Sequence, residues 1–307
     1  MRALILRMLG LCVSTLRGRA ITRIPLLKWA YYSTYRLLRP KELCPLKLDG
    51  FRLLVNPEDK GLASFLITTG VYEPFEVDLM KHLLVEGDCA LDIGANVGYY
   101  TMIFAKAVGE KGKVISCEPC SDNYRLLKKN LEVNRFENRV TALECAVSNV
   151  AGSVKLYKSD SNHGDHRIFP GKDRQGGVAV PSRTIDSLVD PGTPVRLLKI
   201  DIQGAELLAL QGMGQLMQEN EDLHIFMELW PKALQNAGSR PADLVQFLQQ
   251  HRFTAYSILE GVDRLQSLSS DELLKMADGN REFNLLLHSQ KAISPLSNRL
   301  APAGSTR

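Results

Sequence analysis

The sequence predicts an α/β protein built on a doubly wound, mostly parallel sheet of Rossmann-like type. Three observations carry this. Short apolar runs at 89–93, 113–117, 140–147, 195–201 and 223–228 alternate with helical patterns. The first run, Cys89-Ala-Leu-Asp-Ile93, opens through Gly94-Ala-Asn-Val-Gly98 onto a helix, as α/β proteins do where backbone N–H groups meet a nucleotide-like ligand. The second, starting at Lys113, ends in Glu118, 20 residues after Gly98, the spacing at which a second-strand acid reaches the hydroxyls of a ribose.

Taken from its start, the chain of 307 residues divides into an arm, a body and a tail. Residues 1–41 hold nine Lys or Arg and no acid, which leaves 29 basic and 34 acidic side chains in 42–307. The net charge of +4 belongs to the arm, and the mildly acidic body argues against a nucleic-acid partner. Ala3–Val13 is apolar except at Arg7 and Gly10, too short to span a bilayer and interrupted where a secretory signal would be continuous. Pro25–Leu38 reads as a helix with Pro at its start and Trp29, Tyr31, Tyr32 and Tyr35 along it. A basic, acid-free helix pair lies on an anionic membrane surface, packs on the catalytic body or serves as an organelle presequence. The expected location is cytoplasmic, with residues 1–40 as the candidate for peripheral attachment at the inner face of a membrane.

Residues 42–289 form the expected catalytic domain, with a small β and helical lead-in to about residue 86. Leu46–Leu48 and Phe51–Val55 read as strands, ended by Asn56-Pro-Glu-Asp59. A helical pattern from Gly61 breaks at Gly70-Val-Tyr-Glu73 and resumes over Glu76–Leu84. Beyond the first two sheet strands, Asp122–Asn134 reads as a helix and Val140–Val147 as a third strand whose end, Glu144 to Ala146, suits an adenine. Ser153–Tyr157 and Val178–Arg183 are extra strands around a polar loop, Ser159–Gly177. Val195–Asp201 is the fourth sheet strand with helix Ala205–Gln218, and Leu223–Glu228 is the fifth. Pro241–Gln250 reads as a helix, and Phe253–Leu259 and Glu282–His288 as the last strands. Residues 290–307, polar with small residues and Pro, read as a disordered tail. The scattered cysteines fit a reducing compartment, and Cys117-Glu-Pro-Cys120 lacks the second pair or the histidines of a zinc site.

The residue types of the core turn point to a ligand. Gly94 and Gly98 leave room for a ligand to approach the backbone, and Asn96 tolerates left-handed dihedrals. Asp92 can accept a hydrogen bond from a ligand amine, and Glu118 from ribose hydroxyls. Asn96 stands where a dinucleotide fingerprint has its second glycine, so no pyrophosphate slot is indicated and a nicotinamide dehydrogenase is disfavoured. A nucleoside without phosphates, S-adenosylmethionine, fits better.

With these residues in view, the chain resembles the FkbM-like family of class I S-adenosylmethionine-dependent methyltransferases. The resemblance runs from about Gly61 to Trp230. It rests on Tyr72-Glu73, Leu91-Asp-Ile-Gly-Ala-Asn-Val-Gly-Tyr-Tyr-Thr101, Glu118-Pro119, Leu198-Lys-Ile-Asp-Ile-Gln-Gly-Ala-Glu206 and Glu228. It implies a seven-stranded sheet with an antiparallel last strand, and cofactor contacts from Asp92, Gly94, Asn96, Gly98, Thr101, Glu118, Ala146 and Glu73. It also implies O-methylation of a hydroxyl on a sugar, in a glycan or glycolipid, with a polyketide or other small-molecule hydroxyl as the alternative. Gln203 departs from the Glu usual in the family, which leaves a non-catalytic cofactor-binding scaffold as a further alternative. An amino-group methyltransferase is disfavoured, because Asp201-Ile-Gln-Gly replaces a Pro-Pro-aromatic motif.

Methyl transfer to a hydroxyl needs alignment and a base. His163 and His166, flanking Asp165 in the polar loop, titrate near neutral pH and suit that work. The expectation is that one of them takes the proton while Asp201 orients the acceptor or the methyl donor. Asp201 itself is the rival base. Asp201, Glu206 and Glu228 are weak candidates for a Mg²⁺ site, since Glu206 in a helix's first turn is favoured by the helix dipole alone.

Overall fold

The computed structural model describes residues 25–159, 162–171, 174 and 176–289, together with Leu6 and Gly10. Most of the first arm segment and the tail at 290–307 fall outside these, and with them the amphipathic reading of Ala3–Val13 and the disordered reading of the tail.

The sheet forms from the apolar runs. Strands β3 (Cys89–Ile93), β4 (Lys113–Cys117), β5 (Val140–Leu143), β9 (Val195–Ile200) and β10 (His224–Leu229) pair in parallel. Beyond β10 come β13 (Phe283–Ser289), β11 (Phe253–Leu259) and β12 (Arg264–Leu268), each antiparallel to its neighbour. The order is β12-β11-β13-β10-β9-β3-β4-β5, and it reverses direction of growth at β3, where ligands enter doubly wound sheets. The seven strands expected are present; an eighth, β12, extends the edge as a hairpin with β11, and α10 (Ser270–Ala277) follows it behind a Ser269–Glu272 capping box.

Both faces of the sheet are covered, so its strands carry apolar side chains in both directions. Leu197, Phe226 and Leu286 pack on one side with Phe104 of α4 (Tyr99–Ala107) and Leu127 of α5 (Ser121–Asn134). Leu91, Ile93, Leu198 and Ile225 pack on the other with Leu210 of α6 (Glu206–Gln211), Leu234 of α8 (Pro231–Asn236) and Leu244 of α9 (Pro241–Gln250). The helix expected over Ala205–Gln218 is two: α6 ends at Gly212, and α7 (Gly214–Glu219) restarts after Met213. A Cβ at Gly212 would stand 2.6 Å from the Ser148 carbonyl, so a neighbouring loop fills the gap between the two helices.

The run at 140–147 is also divided. It leaves the main sheet after Leu143, and β6 (Ala146–Val147) joins β7 (Gly152–Leu156) and β8 (Val178–Arg183) in a separate sheet of order β6-β8-β7. That sheet carries the polar loop expected at 159–177. The lead-in hairpin, β1 (Cys44–Leu48) with β2 (Phe51–Val55), is bound to α5 by Asn130, whose amide accepts from Leu54 N–H at 2.7 Å and donates to the Leu54 and Val97 carbonyls. Helices α2 (Leu62–Thr69) and α3 (Pro74–Leu83) follow it, flanking the expected break. Helix α1 (Pro25–Leu38) lies against α2, with Tyr31 and Tyr35 buried. Gly10 meets α2 as well: a Cβ there would be 2.0 Å from the Thr68 carbonyl oxygen. No described helix is long and apolar enough to cross a membrane.

Away from the carboxyl ends of the strands, His224 and His288 face each other across the β10–β13 register with ring centroids 4.5 Å apart. Both are buried, and neither nitrogen of His224 has a hydrogen-bond partner among the described residues. Burial pushes His224 down to about 4, helped by His288 and Arg196, and lowers His288, which Asp222 partly opposes. A histidine buried neutral contributes fully above its unfolded pKa, and that stability is lost as pH falls through the interval down to the folded value. The unfolding free energy from urea titrations should therefore fall between about pH 6.5 and 4, by up to about 3 kcal/mol for His224. His224→Phe should flatten that part of the profile, and an unchanged profile would refute the assignment.

Candidate active site

One cavity of about 1010 Å³ opens at the carboxyl ends of β3, β4, β9 and β10. Its floor is the turn after β3. Gly94, Asn96 and Gly98 all have positive φ, at 86°, 52° and 93°. The structure corrects the reason for the glycines: a Cβ at Gly94 would lie 2.0 Å from the Asp201 carbonyl oxygen, and one at Gly98 would lie 2.5 Å from Leu127 Cδ1. Both positions admit protein neighbours, and Gly98 is not on the cavity wall. Asn96 takes the left-handed conformation expected of it, and its N–H donates to Glu118 Oε2 at 2.8 Å. Glu118 Oε1 accepts from Cys120 N–H at 2.8 Å. The carboxylate is thus fixed in the wall, and burial lifts it to about 7 against these hydrogen bonds.

Asp92 and Thr101 lie beneath that floor, off the cavity wall. Thr101 Oγ1 donates to Asp92 Oδ2 at 2.6 Å and contacts Ser116 Oγ at 3.0 Å, and both side chains are buried. Asp92 Oδ1 has no partner among the described residues. Burial raises the Asp92 pKa, opposed by Lys199, which stands opposite it in the β3–β9 register. Thr101 orients Asp92 in this arrangement and is not among the lining residues. Glu73 is likewise off the wall: at φ 45° it caps α3, accepting from the Tyr100 hydroxyl and from Asn284 Nδ2. Ala146 lines the cavity as expected, beside Cys145 where the chain changes sheets.

At the end of β9, Asp201 Oδ2 pairs with Lys199 Nζ at 3.2 Å, and Oδ1 accepts from Gln203 Nε2 at 2.9 Å. The same Gln203 nitrogen donates to Glu228 Oε2 at 2.7 Å, so one amide links the two acids. Burial raises the Asp201 pKa, but the Lys199 ammonium and the hydrogen bonds from Gln203 and Lys199 outweigh it and hold the pKa below the usual carboxylate value. Glu228 moves the other way, raised by burial and then by the charges of Asp201, Glu282 and Glu73. Lys199 sits 4.4 Å over the Tyr100 ring; burial works against its charge, but Asp201, Asp92, Glu76 and Glu73 outweigh this and raise its pKa.

The polar loop roofs the cavity. His163 N–H donates to Asp59 Oδ1, and its carbonyl accepts from Asn123 Nδ2 at 2.8 Å. His163 and His166 both line the cavity, with ring centroids 6.4 Å apart. His166 Nδ1 accepts from Ser159 N–H at 3.0 Å, which leaves Nε2 to carry the proton of the neutral ring. Burial lowers its pKa to about 4, with the charges of His163, Lys158 and Arg174 adding to the effect. With its one acceptor nitrogen already engaged, His166 is not arranged as a base. Asp165 between the histidines pairs with Arg167 and Arg174 instead of with either ring.

The Mg²⁺ candidates do not converge. Among the described residues no three His, Cys, Asp or Glu side chains are placed to hold an ion. Gln203 stands between Asp201 and Glu228, and Glu206 Oε1 accepts from Gly204 N–H at the start of its own helix, where burial lifts it to about 7. Lys199 and Gln203 on the cavity wall, and Asp59 beneath its roof, are positions to which the sequence reading gave no site role. A lysine inside an otherwise apolar strand was the available signal for the first.

The family model of the methyltransferase FkbM domain matches residues 92–254, from the acid beneath the floor to β11. The chain belongs to the FkbM methyltransferase family. It is an S-adenosylmethionine-dependent methyltransferase with the class I, Rossmann-like fold. This FkbM methyltransferase is 27% identical over 184 residues to methyltransferase sdnD of Sordaria araneosa, a match covering 49% of this chain and 68% of that one. Among solved structures it is similar to an FkbM methyltransferase of Methylobacillus flagellatus at 15% identity and a TM-score of 0.42, covering 73% and 52% of the two chains. A SAM-dependent O-methyltransferase of Thermotoga maritima aligns at 16% identity and a TM-score of 0.39, covering 72% and 67%.

The residues of this FkbM methyltransferase fit the cofactor. Glu118 lines the cavity with its carboxylate held by two backbone N–H groups and would accept from ribose hydroxyls, the Asp92 Oδ1 acceptor has no partner among the described residues beneath the floor, and Ala146 on the wall would leave room for an adenine.

Proposed function

We propose that this FkbM methyltransferase methylates a hydroxyl oxygen of a sugar, in a glycan or glycolipid. The observation that carries the reading is the polar wall formed by Asp201, Gln203 and Glu228 in one hydrogen-bonded series, with Trp230 beside it in the same cavity. Carboxylates and amides exchange hydrogen bonds with sugar hydroxyls, and an aromatic side chain covers the apolar C–H face of a pyranose. A volume of about 1010 Å³ has room for such an acceptor beside a nucleoside.

Bound S-adenosylmethionine supplies a methyl group on a positively charged sulfur, which needs no further activation. The chain's own residues then have two tasks, to align the acceptor oxygen and to take its proton. In this reading Asp201 takes the proton, since it is the ionised member of the pair and Lys199 and Gln203 fix its direction. Glu228, its pKa raised by burial and by the Asp201 charge, is the more readily protonated of the two acids that Gln203 joins. His163 belongs to the roof, tied by Asp59 and Asn123 over Asn96 and the Glu118 side of the cavity.

The test is mass spectrometry of glycans and glycolipids from cells with and without the gene, paired with turnover of radiolabelled S-adenosylmethionine on matched acceptors. A sugar methyl ether should disappear with the gene, and the unmethylated glycan should accept label from the purified enzyme. Unchanged sugars alongside a lost methyl group on another metabolite would move the acceptor to that class.

A further inference from the structure

Helix α1 has one side committed to the fold and another that is exposed among the described residues. On the inner side, the Tyr31 hydroxyl donates to the Ser64 carbonyl and the Tyr35 hydroxyl to the Pro57 carbonyl at 3.0 Å. Arg39, just past the helix, donates to Pro57 O and pairs with Glu58. On the outer side, Leu26, Trp29 and Leu37 are 70%, 69% and 80% exposed. At helical spacing these three fall within an arc of about 80°. Leu27 and Leu43 are exposed outside that arc, and the other large apolar residues exposed among the described ones are single valines scattered over the body.

We propose that this outer face docks on an anionic lipid surface, with Leu26, Trp29 and Leu37 entering the boundary between headgroups and acyl chains. Charge selects this occupant. The segment 1–41 that carries the face has nine Lys or Arg and no acid, a match for anionic headgroups. A second copy docked face to face would set two such segments against each other. Tryptophan at the rim of an apolar stripe is also the residue that prefers a membrane–water interface. The docked helix reaches the site as well: Tyr32, whose hydroxyl donates to the Lys60 carbonyl, lines the cavity together with Lys60. One wall of the cavity therefore stands a helix's width from the lipid, which suits a sugar carried on a lipid; this last step rests on the acceptor reading above.

The experiment is sedimentation of the full chain with vesicles of phosphatidylcholine, with and without phosphatidylserine. Binding is expected to the anionic vesicles, weakening as salt is raised. The triple variant Leu26→Ser, Trp29→Ser, Leu37→Ser should lower the partition coefficient about tenfold or more, with cofactor affinity by calorimetry as in the wild type. Should that variant fold poorly, brominated lipid provides the second reading: it should quench emission of the wild type far more than that of Trp29→Ala. Wild-type binding by the triple variant, or no binding by the wild type, overturns the proposal. So does sedimentation velocity showing a wild-type dimer that the variant converts to a monomer, since a second copy would then cover the face. None of these measurements uses an acceptor, so their failure is separate from failure of the sugar reading.

Discussion

Asp201→Asn is expected to lower kcat by about 10²–10⁴ while changing S-adenosylmethionine affinity only a few-fold. The substitution keeps the shape but leaves one acceptor oxygen for the two donors Lys199 and Gln203, and it cannot accept a proton. His163→Ala should leave kcat close to that of the wild type. The pH–rate profile separates the two bases independently. Activity is lost along an acid limb as pH falls through the pKa of the base. Asp201, held low by Lys199 and Gln203, places it beneath the ordinary carboxylate range. A limb near neutrality together with a crippled His163→Ala would return the proton to the histidine.

Glu118→Ala should weaken S-adenosylmethionine binding by about 1.5–3 kcal/mol, the worth of hydrogen bonds to a charged group, or roughly 10–150-fold in Kd. The loss has two sources, because the same carboxylate also satisfies the Asn96 and Cys120 N–H groups that shape the turn. Glu118→Gln retains one acceptor oxygen and should fall between. In the free protein burial lifts Glu118 to about 7. Ribose hydroxyls donate to the ionised form, so affinity should rise with pH through about 7 and level off above it. Binding on the acid side should release a proton, visible as a buffer-dependent calorimetric enthalpy. Affinity independent of pH, or unchanged in Glu118→Ala, would remove the ribose role.

What the sequence made legible was whatever depends on local pattern. Short apolar runs marked the main strands, Pro25 and Pro241 marked helix starts, and the acids at strand ends marked the candidate site. What it hid depends on partners distant in the chain. Val140–Val147 is one unbroken strand by composition, and only the pairing of β6 with β8 shows that it changes sheets after Leu143. The division between α6 and α7 follows from the Ser148 loop pressing on Gly212, 64 residues away in the chain. β12 lacked a signal because Arg264-Leu-Gln-Ser-Leu268 buries little beyond Leu265. The histidines fit a base by residue type, yet the backbone N–H that occupies His166 Nδ1 comes from Ser159, and no spacing rule announces it. Gln203 was visible as a departure from pattern; that its amide joins Asp201 to Glu228 needed the fold.

The contact at Gly94 bears on how such an enzyme can change over time. Its missing Cβ lets the Asp201 carbonyl oxygen sit against the turn, and Asp201 N–H donates to the Ile93 carbonyl at 3.0 Å. Donor cradle and acceptor carboxylate are thus bolted together through main chain, with no side chain between them whose replacement could slide one past the other. Since methyl transfer depends steeply on that alignment, the interior of the reaction centre is closed to adjustment by ordinary substitution. New acceptors must be won at the perimeter instead, in the roof loop borne by the β6-β8-β7 sheet and in the helix that shares its wall with the cavity mouth. A lineage of these enzymes should diversify like a lathe with a fixed headstock and interchangeable chucks.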